Sequence, residues 1–143
     1  MKPKNIKFLE MFPDHTYRFI DQTGNARPPI TSPTYNKKLN DEGYEAYFTV
    51  NGFKNQLDAK REHCTNLNAF FIDIDGRKDK EEIEKIKDLI EPTFIIETMR
   101  GYHLYWCLDE VIYKEELSDG DWAIALNKWE MIEQNIVTAL DAD

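Results

Sequence analysis

The chain has 143 residues, a net charge of −9, 41 % apolar residues and 13 % aromatic residues. That length suits one domain with a core of its own, and the apolar share excludes a disordered chain. No apolar run approaches the ~20 residues of a membrane span, and Met1–Asn5 leads into no signal-type stretch, so no membrane partner is expected. Cys64 and Cys107 form no C-x-x-C pair and no disulfide framework, which points to a reducing, cytoplasmic setting. The acidic balance argues against a general nucleic-acid coat protein. The charge is uneven, however. Residues 1–72 carry 10 basic and 8 acidic side chains, and residues 73–143 carry 8 and 19. Phosphates can still be held locally, with metal ions adding their own positive charge.

In chain order, Tyr17–Ile20 alternates as a short strand. Gly24, Pro28, Pro29 and Pro33 then predict a break in regular structure. Residues 44–50 are β-rich and stop at the turn signal Asn51-Gly52. The polar stretch 54–68 reads as a loop with a helical turn. Residues 69–76, Ala-Phe-Phe-Ile-Asp-Ile-Asp-Gly, read as a strand closed by glycine. Residues 79–91 place Ile83, Ile86, Leu89 and Ile90 at helical spacing, and Pro92 ends that helix. Residues 93–98 and 102–108 form two strands joined by the Met99-Arg100-Gly101 turn, a hairpin. Over 120–141, Trp122, Leu126, Trp129, Ile132, Ile136 and Leu140 form one helical stripe, read as core packing. The chain stops at Asp143 with no capping glycine and no closing strand, as a piece of a longer protein would.

The strongest chemical signal is Asp73 and Asp75. Strand side chains alternate, so both carboxylates share one face while Phe70, Ile72 and Ile74 take the other. Like charges about 6.5–7 Å apart beside apolar residues cost stability unless a cation joins them. Rigid, hard oxygen ligands suit Mg²⁺ or Mn²⁺. The plainer reading is a polar strand face turned to water. The second signal is the hairpin tip. Gly101 allows a tight turn and close approach of a ligand, Arg100 is a good phosphate partner, and His103 starts the outgoing strand on the same face as Tyr105. Against this stands a histidine packed under aromatics. Asp141 and Asp143 are candidates for a third acid, and a solvated tail is the alternative. Lys60 and Arg61 can reach a triphosphate or a template strand, and a solvated loop is an equal reading. Glu97 is either a neighbour of the site or a strand-edge charge. His63-Cys64 has no second pair of ligands at zinc spacing, so no zinc site is expected.

The order of these motifs resembles the archaeo-eukaryotic primase superfamily, in particular its small primase-polymerase and RepB-like replication primase domains. The motifs are the strand ending Asp73-Ile74-Asp75-Gly76, a helix, the strand Pro92–Glu97, the Gly101-Tyr102-His103 turn, and a helix ending near an acid. The likeness is clear over residues 61–143 and weak over 1–60. It implies an α+β fold, with a small N-terminal α/β lobe (1–60) packed on an RRM-like antiparallel sheet with flanking helices (61–143), together one catalytic domain that stops short at its C-terminus. It further implies that Asp73 and Asp75, with Asp143 or else Asp141, hold two Mg²⁺ or Mn²⁺ ions. His103 then contacts the nucleotide's phosphates, beside Arg100, Gly101, Lys60 and Arg61. The expected activity is DNA-dependent primase/polymerase nucleotidyl transfer in a bacterial, plasmid, phage or archaeal setting. The expected partners are a single-stranded DNA template, nucleoside triphosphates, and a helicase or CRISPR-associated proteins.

Two other readings use the same residues. A single-strand-binding RRM-like module without catalysis would stack bases on Tyr102, Tyr105 and Trp106, although paired acids on that face repel phosphate. A metal-dependent nuclease would use the same carboxylates with a water nucleophile.

Overall fold

The computed structural model describes residues 8–32, 35–54, 59–76 and 80–142. The architecture is α+β, with two antiparallel sheets and helices. The strands are β1 (Tyr17–Ile20), β2 (Ala26–Ser32), β3 (Glu45–Phe48), β4 (Gly52–Phe53), β5 (Cys64–Asp75), β6 (Phe94–Glu97) and β7 (Gly101–Tyr113). The helices are α1 (Lys37–Asp41), α2 (Lys80–Leu89) and α3 (Asp119–Ala139), with a helical turn over residues 8–10 before them. One sheet has the order β2-β1-β3 and the other β4-β5-β7-β6. The chain divides into two compact units, Met1–Asn68 with Val111–Glu116, and Ala69–Glu110 with Leu117–Asp143.

In the first unit, β1 pairs antiparallel with both neighbours, and Arg18 stands opposite Tyr47 of β3. The prolines at 28 and 29 do not break the chain out of the sheet as expected. They lie in β2, an edge strand, where the register against β1 shifts between Ile20↔Ala26 and Arg18↔Thr31. A proline's missing N–H is tolerated at an edge or a bulge because no ladder bond is lost there. β3 ends at Phe48, and the chain bends at Val50 and Asn51 before Gly52 opens β4. A side chain at Gly52 would overlap the Asn66 carboxamide. That carboxamide belongs to a buried network. Asn66 Nδ2 donates to Pro13 O at 3.0 Å and to Asn68 Oδ1 at 2.8 Å. Asn68 Nδ2 donates to Pro13 O and Val50 O, and Asn68 N to Asn51 Oδ1. Buried amides are stable only when so bonded. Here they tie two loops to the first half of β5, a stretch whose polarity reads as loop in the sequence.

In the second unit, Ile72 and Ile74 of β5, Leu104 and Trp106 of β7, and Ile83 and Ile86 of α2 form one buried cluster. Phe70, Ile95, Tyr102, Ile136, Val137 and Leu140 pack against it. The α2 stripe is narrower than the spacing suggests, because Leu89 is 79 % exposed and Ile90 supplies a backbone acceptor for Trp106 Nε1 at 3.2 Å. Ser118 caps α3 by accepting Asp121 N–H at 3.1 Å, and Asp119 and Asp121 complement the helix dipole in its first turn. The hairpin forms as expected, with Ile96 opposite His103 and Glu97 opposite Tyr102, but β7 runs on to Tyr113.

Leu104 is fully buried, so Leu104→Ala is expected to cost about 2–5 kcal/mol. Leu89→Ala is expected to stay within about 0.5 kcal/mol. Urea unfolding midpoints of the two variants check this pair.

Candidate functional site

Alternation along β5 builds the site. Ile72 and Ile74 are drawn into the core, so Phe71, Asp73 and Asp75 take the other face. Asp73 is half-buried and Asp75 is exposed. On β7, Leu104 faces the core and His103 and Tyr105 face the acids. His103 Nε2 stands 3.5 Å from Asp73 Oδ1, an electrostatic contact rather than a tight hydrogen bond. The His103 ring meets Phe71 edge-on, with centroids 5.4 Å apart and planes at 80°, and Phe71 lies 5.0 Å from the Tyr105 ring. Tyr105 is only 2 % exposed. Burial, and then the Asp73 carboxylate, hold its phenol well above the usual range, so it stays protonated.

The hairpin tip is locked against the end of β5. Gly76, at φ +65°, donates its N–H to Arg100 O. Thr98 Oγ1 accepts the N–H groups of Arg100 (3.3 Å) and Gly101 (3.0 Å). A side chain at Gly101 would overlap the Ile74 carbonyl oxygen. The close approach that glycine permits is therefore to the protein's own strand, not only to a ligand. Arg100 is exposed at this tip. Glu97 stands opposite Tyr102 on the other face of the hairpin. With Lys80, Ile83, Glu84, Lys87 and Ile95 it lines a cleft of about 380 Å³ beside α2, away from His103.

Asp73, Asp75, His103, Arg100 and Gly101 all belong to the second unit, where His103 meets Asp73. Lys60 and Arg61 are exposed and belong to the first unit. Asp141 follows the Leu140 cap of α3 in the left-handed region at φ 48°, exposed. Among the described residues no three His, Cys, Asp or Glu side chains converge as a ligand set. Asp143 lies outside the described residues. The pair itself fits a hard divalent cation: two carboxylates share one face of a rigid strand, one half-buried beside aromatic rings and one open to solvent. Tyr105 and Trp106, offered by the sequence as base-stacking rings, are buried and cannot stack a base.

Sequence reasoning missed Glu133. Its Oε2 accepts the Phe71 N–H at 3.2 Å. Burial raises its carboxyl to about 7, partly offset by that hydrogen bond. The signal was present, as Glu133 lies four residues after Trp129 and three before Ile136, inside the apolar stripe.

No protein-family model matches the chain. The AEP domain of the cyanophage S-2L primase-polymerase (PrimPol) superposes with a TM-score of 0.67 and 16 % identity, over 96 % of this chain and 72 % of that one. This chain shares the fold of that domain. The resemblance drawn from the motif order is borne out at the level of fold. A replication initiation protein of Bacillus anthracis is 29 % identical to this chain over 92 residues. That match spans 60 % of this chain and 17 % of that protein. No helix among the described residues is long and apolar enough to cross a membrane.

Two predictions follow from the site's local physics. Gly101→Ala is expected to open the hairpin tip, and loss of slow amide exchange at Gly76 checks it. For Glu133, the folded carboxyl titrates near 7 against an ordinary value of 4.5. Below 4.5 both states are protonated. Between the two values the unfolded state releases its proton first, so stability falls as pH rises through this window and stays lowered above it. Glu133→Gln is expected to remove that slope, giving a variant that gains on the wild type from pH 5 to pH 8 in thermal unfolding.

Proposed function

We propose that this chain carries the catalytic face of a DNA-dependent primase-polymerase, joining a nucleoside triphosphate to a 3′-hydroxyl on a single-stranded template. The observation that carries the reading is the acid pair Asp73 and Asp75 on one strand face with His103 3.5 Å from Asp73. Support comes from the fold shared with a protein named primase-polymerase and from the local likeness to one named for replication initiation.

Asp73 and Asp75 would hold two divalent cations, Mg²⁺ or Mn²⁺, with Asp143 or else Asp141 as the third acid. When bound, these supply charge neutralisation at the triphosphate and a lowered pKa for the attacking hydroxyl. The protein's own part is position and charge, as in phosphoryl transfer generally. His103 offers its imidazole to the phosphates from beside Asp73, and its edge contact with Phe71 fixes the ring plane. Arg100, at a tip tied to Gly76, presents a guanidinium fork to the same phosphates. The protonated Tyr105 keeps a neutral wall behind Asp73 and adds no charge that would repel substrate. Lys60 and Arg61 of the first unit supply exposed positive charge for the template strand.

The test is extension of a labelled primer on a single-stranded template with Mn²⁺ and nucleotides. Asp73→Ala and Asp75→Ala are each expected to abolish it. His103→Ala is expected to lower kcat/KM by about 10–100-fold, the scale for losing one hydrogen bond to a charged group, with the near-UV spectrum unchanged. Extension that persists in both aspartate variants would sink the proposal. Release of nucleotides from the template without extension would make the chain a nuclease instead.

A further inference from the structure

None of those steps uses Glu133, a half-buried acid. Its place in the fold is specific. Backbone groups of a strand point alternately to its two edges. Ala69 and Phe71, two residues apart on β5, therefore address the same edge, and their backbone groups are met there by side chains rather than by a strand. The β4 pairing ends at Asn66, and no strand pairs that edge further along among the described residues. Two side chains of α3, one turn apart, stand in for it. Trp129 Nε1 donates to Ala69 O at 3.1 Å, and Glu133 Oε2 accepts from Phe71 N at 3.2 Å. Covering an edge with a helix protects it from other strands. An amide side chain would accept the same N–H at a lower desolvation cost than a buried carboxylate.

The two bonds differ in what lies beyond them. Ala69 sits four residues from Asp73, and its end of the clamp is closed by Phe70 stacked on Trp129, with centroids 5.7 Å apart. Phe71 is two residues from Asp73, on the same face, and its ring touches both His103 and Tyr105.

We propose that Glu133 is a positioning residue: by fixing the Phe71 peptide it sets the Phe71 ring against His103 and the direction in which Asp73 presents its oxygens. This rests on the reading of Asp73 and His103 as the nucleotidyl-transfer site. Trp129, on the same helix and the same strand edge, is the matched structural control.

The experiment compares Glu133→Ala, Glu133→Gln and Trp129→Phe in the whole chain. Three things are read: the His103 ring signals by NMR without metal, Mn²⁺ affinity by calorimetry, and the thermal midpoint. Glu133→Ala is expected to move the His103 signals and to weaken Mn²⁺ binding about 10-fold or more. Glu133→Gln keeps an acceptor oxygen and is expected to restore both. Trp129→Phe is expected to lower the midpoint and leave the His103 signals in place. Wild-type signals and affinity in Glu133→Ala overturn the proposal, as does Trp129→Phe moving them equally far. Should Glu133→Ala fail to fold, the shorter Glu133→Asp takes its place: a shift in it that Gln lacks supports the role, and no shift in either refutes it. If the wild-type chain binds no Mn²⁺, the nucleotidyl-transfer reading fails, while the His103 signals still decide the role of Glu133.

Discussion

Ile72 and Ile74 must leave water, and a strand cannot bury them without presenting Phe71, Asp73 and Asp75 on its opposite side. That single coupling makes the core and the site two faces of one β-strand. The packing of α2 and α3 on the apolar face holds the carboxylates of the other. It also explains why two like charges are tolerated so close together. The free energy gained by burying the isoleucines, Leu104 and Trp106 is fixed by the fold. The repulsion between the acids is a separate term, one that bound cations remove.

The neighbouring hairpin extends the same logic. Gly101 lets the tip close directly on the Ile74 carbonyl, and Gly76 answers from the strand end in a conformation suited to glycine. Arg100 is thereby carried on a tied turn rather than a mobile loop, and His103 stands near the start of β7, opposite Ile96. Groups meant to hold a highly charged substrate benefit from such rigidity, since little ordering remains for the moment of binding.

The α3 helix serves two purposes with one face. Ile136, Val137 and Leu140 close the core, while Trp129 and Glu133 satisfy backbone groups at the strand edge. A carboxylate at that edge lowers stability above its titration range. A chain that retains such a group beside its proposed reaction centre trades stability for placement there, a common trade at functional sites.

Much of this was legible in the residues alone. The period-2 run 69–75 predicts the shared face of Asp73 and Asp75. Gly101 predicts the turn, and the Trp122–Leu140 stripe predicts the long helix. These are local properties, carried by alternation, helical spacing and glycine. Local rules misread Pro28 and Pro29, because only sheet order makes β2 an edge. They misread 64–68, because the Asn66 and Asn68 amides find their partners at Pro13 and Val50, far away in sequence. They could not foresee that Tyr105 would be buried or that Glu133 would reach Phe71 across 62 residues. Which polar groups meet, and which rings lose their solvent, depends on distant segments coming together, and no window of sequence contains both partners.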